Sequence, residues 1–483
     1  MGLGRSRSLL ASSTLESRDV KAPTGGLGFF ACVYLLEASW LVAAAAVYQS
    51  WAEPPSLVVG RYGPFFLGGL CGIVGLAVYL VRRYRTAGNA RQRQLALTVV
   101  INLTTVLVAF GFGEAIVRVL AIQTREGPTF LDTTLLPRSW NDERARYRDL
   151  LKQTSIPTSY LVPDELLGWT VGPNRGAGMY SSSSEGIRST APHIRYADRQ
   201  PQHRIATVGD SFTFALDVPF EASWPNRLEQ QLGPTVQVLN FGVAAYGVDQ
   251  VYLRYLRDVR PWHPDVVVLG LIQPDFFRSL EVYSFVSHPK WAWPFAKPRL
   301  VVDAAGRVRA LNVPVPSPQE ILSVNAITDL PFIEYDLGFE PMEWGWRTYY
   351  HSYLVRFALS RFRGSPEERD HRSAEAIALN AAILASFARL AEDEGSTPLV
   401  VYFPSRSDFP ESRREKAAVL TLLRERGIRY EDLTSCVGKL GVSELFSENK
   451  HYSRNGNERV STCLDPVLSA YLSRDPRAVR ADN

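Results

Sequence analysis

The chain has 483 residues, of which 46% are hydrophobic and 21% charged, and its formal net charge is +4. These values lie near globular averages and give no indication of nucleic-acid binding. The length exceeds one domain of roughly 100 to 200 residues, so we expect two or three units. Apolar residues are concentrated in three long stretches within the first 120 residues, and the remainder is typical of a soluble domain.

The apolar stretches at 28–51, 64–81 and 95–119 predict three transmembrane helices, because about 20 helical residues cross a bilayer. The first stretch is too long for the apolar core of a signal peptide, so we expect it to be retained. Arginine and lysine are concentrated before the first stretch and between the second and third, which places these segments in the cytoplasm. We therefore predict a multi-pass domain, 1–120, in the inner (cytoplasmic) membrane, and a periplasmic or extracellular remainder.

Residues 121–202 mix proline, glycine, serine and polar residues, and we interpret them as an extracytoplasmic connector without a hydrophobic core. Beyond them, short apolar runs alternate with amphipathic helical patterns across 203–473, which predicts an α/β three-layer sandwich with a mainly parallel sheet. The strand candidates are 203–208, 235–240, 265–271 and 398–403. The helix candidates are about 222–232, 248–259 and 373–394.

The first strand candidate is followed by the segment 209–212 (GDSF) and then by a helical pattern. Ser211 is therefore expected at a sharp strand-to-helix turn. The preceding glycine allows a tight turn, and the following amides can face a negative charge. This is the arrangement of a serine nucleophile, although the Gly-x-Ser-x-Gly pattern of the α/β-hydrolases is absent.

A serine nucleophile needs a base, and the chain has seven histidines. Six of them lie at strand starts, in connectors or in an insertion, where surface or packing roles are the simpler interpretation. His451 differs because its loop, 446–456, leads into a helical pattern at about 457–472. His451 is therefore the candidate base.

The ordered segments resemble the SGNH hydrolase superfamily, also called GDSL-type esterases, over about 163–472. Residues 209–212 (GDSF) resemble the first family block, 240–243 (NFGV) the second, and 448–451 (ENKH) the last, which is usually Asp-x-x-His. Residues 186–189 (GIRS) resemble a segment that often precedes this domain in bacterial envelope members. The resemblance implies an SGNH/flavodoxin-like fold.

By this resemblance Ser211 is the nucleophile, His451 is the general base and then the acid, and Glu448 orients the imidazole. The oxyanion hole would be formed by the backbone amides of Ser211 and Gly242. Glu448 departs from the usual aspartate, because its side chain is one methylene longer.

A third oxyanion donor is missing from the pattern. The family's Gly-x-Asn-Asp block corresponds to 270–275 (GLIQPD), and aligning its acidic residue with Asp275 puts Pro274 at the asparagine position. Proline donates no hydrogen bond. Gln273 can supply an amide from a shifted backbone, or it is a surface turn residue. The departure leaves open a transferase with a rebuilt oxyanion hole and a pseudoenzyme that binds a polymer.

An insertion at about 276–371 is rich in aromatic residues and contains a predicted hairpin around 303–306. Aromatic faces can stack on sugar rings or lie at a membrane interface, or they can form a subsidiary core. Residues 344–357 also fit an amphipathic buried helix. The aromatic residues are Trp291, Trp293, Trp344, Trp346, Tyr349, Tyr350 and Tyr353.

Together these features predict a membrane-anchored extracytoplasmic serine esterase that acts on ester-linked acyl groups of an envelope polysaccharide or glycolipid. One alternative is an O-acyltransferase that moves an acetyl group to an envelope glycan, with a membrane acyl-donor protein as partner. Another is a catalytically impaired SGNH-like protein that binds or assembles polysaccharide. The expected partners are the lipid bilayer and an ester-bearing carbohydrate or glycolipid. No cofactor, metal or nucleic acid is expected.

The four cysteines divide into two pairs. Cys32 and Cys71 fall inside apolar stretches, where small packing roles are expected. Cys436 and Cys463 lie in the soluble part and can form a disulfide in an oxidising compartment. Two cysteines have no diagnostic spacing, so their pairing stays open.

Overall fold

The computed structural model describes residues 31–40, 42–43, 63–124, 127–154, 160–288, 294–361, 366–409 and 413–473. The chain divides into two compact units, Met1–Leu120 and Ala121–Asn483.

Two long apolar helices dominate the described part of the first unit, α1 (Gly63–Arg85) and α2 (Asn89–Leu120). Both are long and apolar enough to cross a membrane. Large side chains such as Leu107 and Phe112 are exposed on α2, as a lipid-facing surface requires. Residues 31–40 and 42–43 are also helical, and the rest of the first predicted span lies outside the described residues. Cys71 is exposed on α1, so the packing role expected for it is not seen.

The second unit begins at Ala121 and contains all the strands of the described chain. The strands are β1 (Ile122–Thr124), β2 (Gly127–Phe130), β3 (Thr133–Thr134), β4 (Leu161–Asp164), β5 (Gly168–Val171), β6 (Gly176–Ala177), β7 (Tyr180–Ser182), β8 (Arg188–Ser189), β9 (His203–Val208), β10 (Val236–Asn240), β11 (Val266–Leu271), β12 (Leu300–Val302), β13 (Val308–Ala310), β14 (Thr397–Tyr402) and β15 (Tyr430–Asp432).

Helices connect these strands. They are α3 (Trp140–Thr154), α4 (Ser211–Phe214), α5 (Trp224–Leu232), α6 (Val248–Arg254), α7 (Pro274–Arg278), α8 (Ser284–Ser287), α9 (Pro318–Ser323), α10 (Tyr353–Arg361), α11 (Pro366–Asp393), α12 (Arg413–Glu425), α13 (Thr434–Val437), α14 (Val442–Leu445) and α15 (Arg454–Leu472).

A five-stranded parallel sheet in the order β10-β9-β11-β14-β15 forms the centre of the second unit. The four predicted strands are present within one residue of their expected bounds. The sequence pattern missed β15, because this short edge strand reads Tyr-Glu-Asp and has no apolar run. Since β10 and β11 lie on opposite sides of β9, the order in which the strands are added changes direction next to β9. The carboxyl ends of the strands at such a point are where α/β proteins commonly bind ligands.

Helices cover both faces of this sheet. Alternate side chains of β9 point to opposite faces, so Ala206 and Val208 join a core with α6, α11 and α12, whereas Ile205 joins a core with α5 and α15. The predicted α/β three-layer sandwich is confirmed. Helix α11, over Ser373–Asp393, is itself apolar and long enough to span a membrane, but its apolar face packs on the sheet through residues such as Phe387.

The segment interpreted as a connector contributes to the main core, which corrects that interpretation. Its two small antiparallel sheets, β4–β5 and β6–β7–β8, carry apolar side chains that are buried against the large parallel sheet. The indole nitrogen of Trp169 donates to the carbonyl of Ala244 at 3.1 Å. The polar composition of the segment gives no sign of these buried residues in the sequence. They are Leu167, Trp169, Val171 and Ile187.

The insertion forms a subsidiary core around Tyr283 and Phe285. Its predicted hairpin is confirmed as β12 and β13, which pair antiparallel. The single helix expected at 344–357 is instead a 3-10 turn, Thr348–His351, followed by α10. Trp346 remains 59% exposed, and Trp291 and Trp293 lie outside the described residues.

The pairing of Cys436 and Cys463 is settled by the fold. The two residues form a disulfide with their Cα atoms 6.1 Å apart. The bond joins α13 to α15, the helix that follows His451.

Candidate active site

The turn after β9 places Ser211 at the start of α4. Asp210 caps this helix, because its carboxylate accepts a hydrogen bond from the amide of Phe212 at 2.8 Å. A Cβ atom at position 209 would lie 2.5 Å from the carbonyl oxygen of Gly270, so only glycine fits there. The sharp strand-to-helix turn expected from the GDSF segment is therefore present.

Ser211 and His451 are hydrogen-bonded, although 240 positions separate them in the chain. The distance between Ser211 Oγ and His451 Nε2 is 3.0 Å. Ser211 is 6% exposed and the His451 side chain is 21% exposed. The distance and partial burial suit a nucleophile and its base.

Asp217, rather than Glu448, lies beside the other nitrogen of the imidazole. His451 Nδ1 is 3.2 Å from Asp217 Oδ2. The same carboxylate accepts hydrogen bonds from Ser447 Oγ at 2.6 Å and from Asn449 Nδ2 at 3.3 Å. Three donors thus converge on Asp217, which fixes the carboxylate relative to the ring.

The expectation for Glu448 is corrected for a local reason. The amide of Ser447 donates to the carbonyl of His451 at 2.7 Å, and this bond closes a tight turn. Lys450 within the turn has a positive φ of 72°. The turn directs the imidazole of His451 towards Ser211 and leaves Glu448 exposed.

Sequence reasoning missed Asp217 because its only local signal is its position, six residues after Ser211 in a turn. A charged turn residue is ordinarily a solvated surface residue. Its φ of 71° is a conformation that aspartate adopts more readily than most residues. This conformation cannot be read from the sequence.

The backbone amides of the two expected oxyanion donors, Ser211 and Gly242, differ in their hydrogen bonding. Ser211 is the first residue of α4, so its amide has no acceptor within the helix. The amide of Gly242 instead donates to Asn240 Oδ1 at 2.9 Å. Gly242 also packs closely on α4, since a Cβ there would lie 2.3 Å from the amide nitrogen of Phe214. Close packing therefore explains this glycine independently of any catalytic role.

A buried charged cluster lies next to Ser211, where the third family block was expected. Asp210 and Asp275 are fully buried, and Arg278 lies 3.5 Å from Asp210 Oδ2 and also pairs with Asp275. Burial raises the pKa of Asp210. Burial and the charge of Asp210 hold the pKa of Asp275 well above its usual range, and Arg278 opposes both effects. Gln273 is half-buried and directly precedes α7, and it makes no side-chain cap there.

Comparisons with known proteins add little sequence information. No protein-family model and no curated protein matches the chain.

Solved structures that match include several esterases. A lipolytic protein of the G-D-S-L family from Desulfitobacterium hafniense is 15% identical, with a TM-score of 0.26, and the match covers 54% of this chain and 98% of that one. TesA is 14% identical, with a TM-score of 0.32, covering 56% and 99%. Axe2, an acetylxylan esterase from Geobacillus stearothermophilus, is 12% identical, with a TM-score of 0.30, covering 57% and 96%. Scores this low assign no activity, so the interpretation of the site rests on its own geometry.

Proposed function

We propose that this chain is a serine esterase in which Ser211 is the nucleophile, His451 the general base and Asp217 the acid that orients the base. One observation carries the proposal: hydrogen bonds connect the three side chains in series, at 3.0 Å from Ser211 to His451 and at 3.2 Å from His451 to Asp217. This is the connectivity of a nucleophile activated by an oriented base.

The reaction that this geometry supports begins with attack of Ser211 Oγ on an ester carbonyl carbon. His451 Nε2 takes the hydroxyl proton, while Nδ1–H donates to Asp217, whose negative charge stabilises the imidazolium. The tetrahedral intermediate collapses and expels the alcohol, which receives the proton from His451. Water then attacks the acyl-enzyme while His451 Nε2 takes one of its protons. The second tetrahedral intermediate collapses and releases the carboxylic acid as that proton returns to Ser211 Oγ.

The oxyanion of the intermediate needs donors. The amide of Ser211 is one, and the amide of Gly242 becomes a second if the side chain of Asn240 rotates away from it. Replacing Asn240 by alanine removes the competing acceptor. We therefore expect this change to preserve or raise activity, provided that the fold is retained.

The proposed location is the outer side of the cytoplasmic membrane, and the proposed substrate is an acylated envelope polysaccharide or glycolipid. The disulfide supports this location because such bonds persist in oxidising compartments, and α1 and α2 supply apolar anchors. The exposed Trp346 supports a carbohydrate, since aromatic faces stack on sugar rings. If a sugar hydroxyl replaced water as acceptor, the same site would act as an O-acyltransferase.

The test uses the full-length chain purified in detergent, a fluorophosphonate probe and short acyl esters. We expect the probe to label the wild type and not Ser211→Ala. Ser461→Ala is the matched control, because its hydroxyl is buried in α15, ten residues beyond His451, and donates to the carbonyl of Glu458 in the same helix, its one hydrogen bond among the described residues. If the wild type is not labelled, or if Ser211→Ala is labelled equally, the proposal is contradicted. Adding acetylated and unacetylated glycans to the ester assay separates hydrolysis from transfer.

A non-catalytic polysaccharide-binding protein is the second candidate. The amide of Gly242 donates to Asn240 Oδ1, and in this arrangement it does not donate to an oxyanion. In that case Ser211→Ala would restore a deletion strain fully, whereas Trp346→Ala would not. An esterase predicts failure of Ser211→Ala in the same strain.

A further inference from the structure

Arg188 is a buried arginine whose side chain reaches the turn that follows α4. It is 1% exposed, and its terminal nitrogens donate to the carbonyl oxygens of Phe214, Ala215 and Val218. Burial lowers the pKa of its guanidinium to about 10, so it remains protonated at neutral pH. The planar fork of arginine suits the binding of several acceptors at once. Arg188 therefore binds both ends of the turn 214–218 through one guanidinium group.

This turn carries Asp217 in a left-handed backbone conformation. Ala215 and Asp217 have positive φ angles of 60° and 71°. Non-glycine residues adopt such angles in folded proteins where the surroundings hold them. The carbonyls on either side of Asp217 are those that Arg188 binds. The amides of Ala215 and Leu216 donate to the carbonyls of Phe212 and Ser211, so the first part of the turn is held by α4 itself. The guanidinium supplies support from outside the turn.

Tyr180 holds the turn at a second point. Its hydroxyl accepts a hydrogen bond from the amide of Asp217 at 3.0 Å. The guanidinium of Arg188 lies 5.4 Å from the centre of the Tyr180 ring and 4.4 Å from that of Phe214. Cation–π contacts of this kind link the three side chains. Both supports come from the segment before the sheet, whereas the sheet contributes one longer bond, from Asn240 Nδ2 to the carbonyl of Phe214 at 3.3 Å.

We propose that Arg188 and Tyr180 are positioning residues for Asp217, so that the segment 160–202 completes the active site from outside the sheet. The proposal rests on the proposed function of the Ser211, His451 and Asp217 series. Without these supports the turn relaxes, the carboxylate leaves its place beside His451 Nδ1, and the imidazolium loses its counter-charge. Substrate binding is not expected to depend on this support.

The test compares Arg188→Met with Arg254→Met in the full-length chain. Arg254 is an equally buried arginine that donates to Gly186 and Thr170 of the same segment but makes no hydrogen bond to the turn 214–218 among those described. Removing the acid of a serine triad costs about 10⁴-fold in kcat. Since Arg188 acts on the acid indirectly, we expect Arg188→Met to lower kcat by about 10- to 100-fold with little change in KM. We expect Arg188→Lys to recover part of the loss and Arg254→Met to stay near wild type.

A double-mutant cycle separates positioning from general stabilisation. In an Asp217→Asn background, Arg188→Met should cost little further kcat, because the carboxylate it positions is already absent. A full additional loss, or an equal loss in Arg254→Met, would overturn the proposal.

Amide hydrogen exchange gives an outcome that does not depend on catalysis. The peptide that covers 212–219 should exchange faster in Arg188→Met than in wild type or Arg254→Met. Unchanged exchange would refute the positioning role. If the wild type shows no labelling of Ser211 but exchange rises as expected, the esterase proposal fails while the structural support of Asp217 by Arg188 stands.

Discussion

Replacing Asp217 by asparagine tests the central geometry, because it keeps the shape of the side chain and removes its charge. The carboxylate oxygen lies 3.2 Å from His451 Nδ1. When His451 accepts the proton of Ser211, at this separation two unit charges attract by about 5 kcal/mol at an effective dielectric constant of about 20. This energy corresponds to about 5,000-fold in rate. Both side chains are partly exposed, so water screens part of the attraction, and we expect kcat to fall by about 100- to 5,000-fold.

The assay is hydrolysis of a short acyl ester by the full-length chain in detergent, with thermal unfolding measured to confirm that each variant is folded. Glu448→Gln is the matched control, because it removes an exposed carboxylate three residues before His451. Its kcat should stay within about twofold of wild type, as is usual for exposed sites. The reasoning is refuted if Asp217→Asn keeps most of its activity, or if Glu448→Gln loses as much.

Three further predictions concern the support of the site. Gly242→Ala should destabilise the fold by about 1–3 kcal/mol and abolish probe labelling, because its Cβ would lie 2.3 Å from the Phe214 amide nitrogen; unchanged unfolding would contradict this. Cys463→Ser should lower the free energy of unfolding by about 3.5 kcal/mol, since the bond with Cys436 spans 27 positions; an unfolding free energy that changes neither with this substitution nor with reductant would contradict the prediction. Burial and a neighbouring carboxylate raise the pKa of Asp275, so this group stabilises the fold at low pH and loses that contribution as pH rises through the raised pKa. The unfolding temperature of Asp275→Asn minus that of wild type should therefore increase as pH rises, and a difference that decreases with pH would refute the sign.

The parallel sheet was predictable from the sequence because its signals are local. Each of the predicted strands is an apolar run bounded by turn residues, and the pattern placed β9 correctly from His203 to Val208. Ser211 was recognisable for the same reason, since glycine on one side and a helix start on the other define its turn within a few residues. His451 required the order of the blocks along the chain as well as its own loop.

The acid and its supports were not predictable in this way. Asp217 and His451 are 234 positions apart, and the local Asp-x-x-His expectation favoured Glu448, which the loop leaves exposed. Arg188 lies in a segment whose composition is that of a connector. Its contacts depend on how β6, β7 and β8 pack against the turn after α4.

The sequence by itself determined the fold class, the apolar N-terminal helices and the position of Ser211, because each of these depends on residues close together in the chain. Only the tertiary structure decided that Asp217 faces His451 and that Arg188 holds the turn beneath it. The physical reason is that a side chain in a turn has no preferred partner until the surrounding elements pack. For Asp217 those elements are the segment 160–202 before the sheet and the loop 446–456 that carries His451.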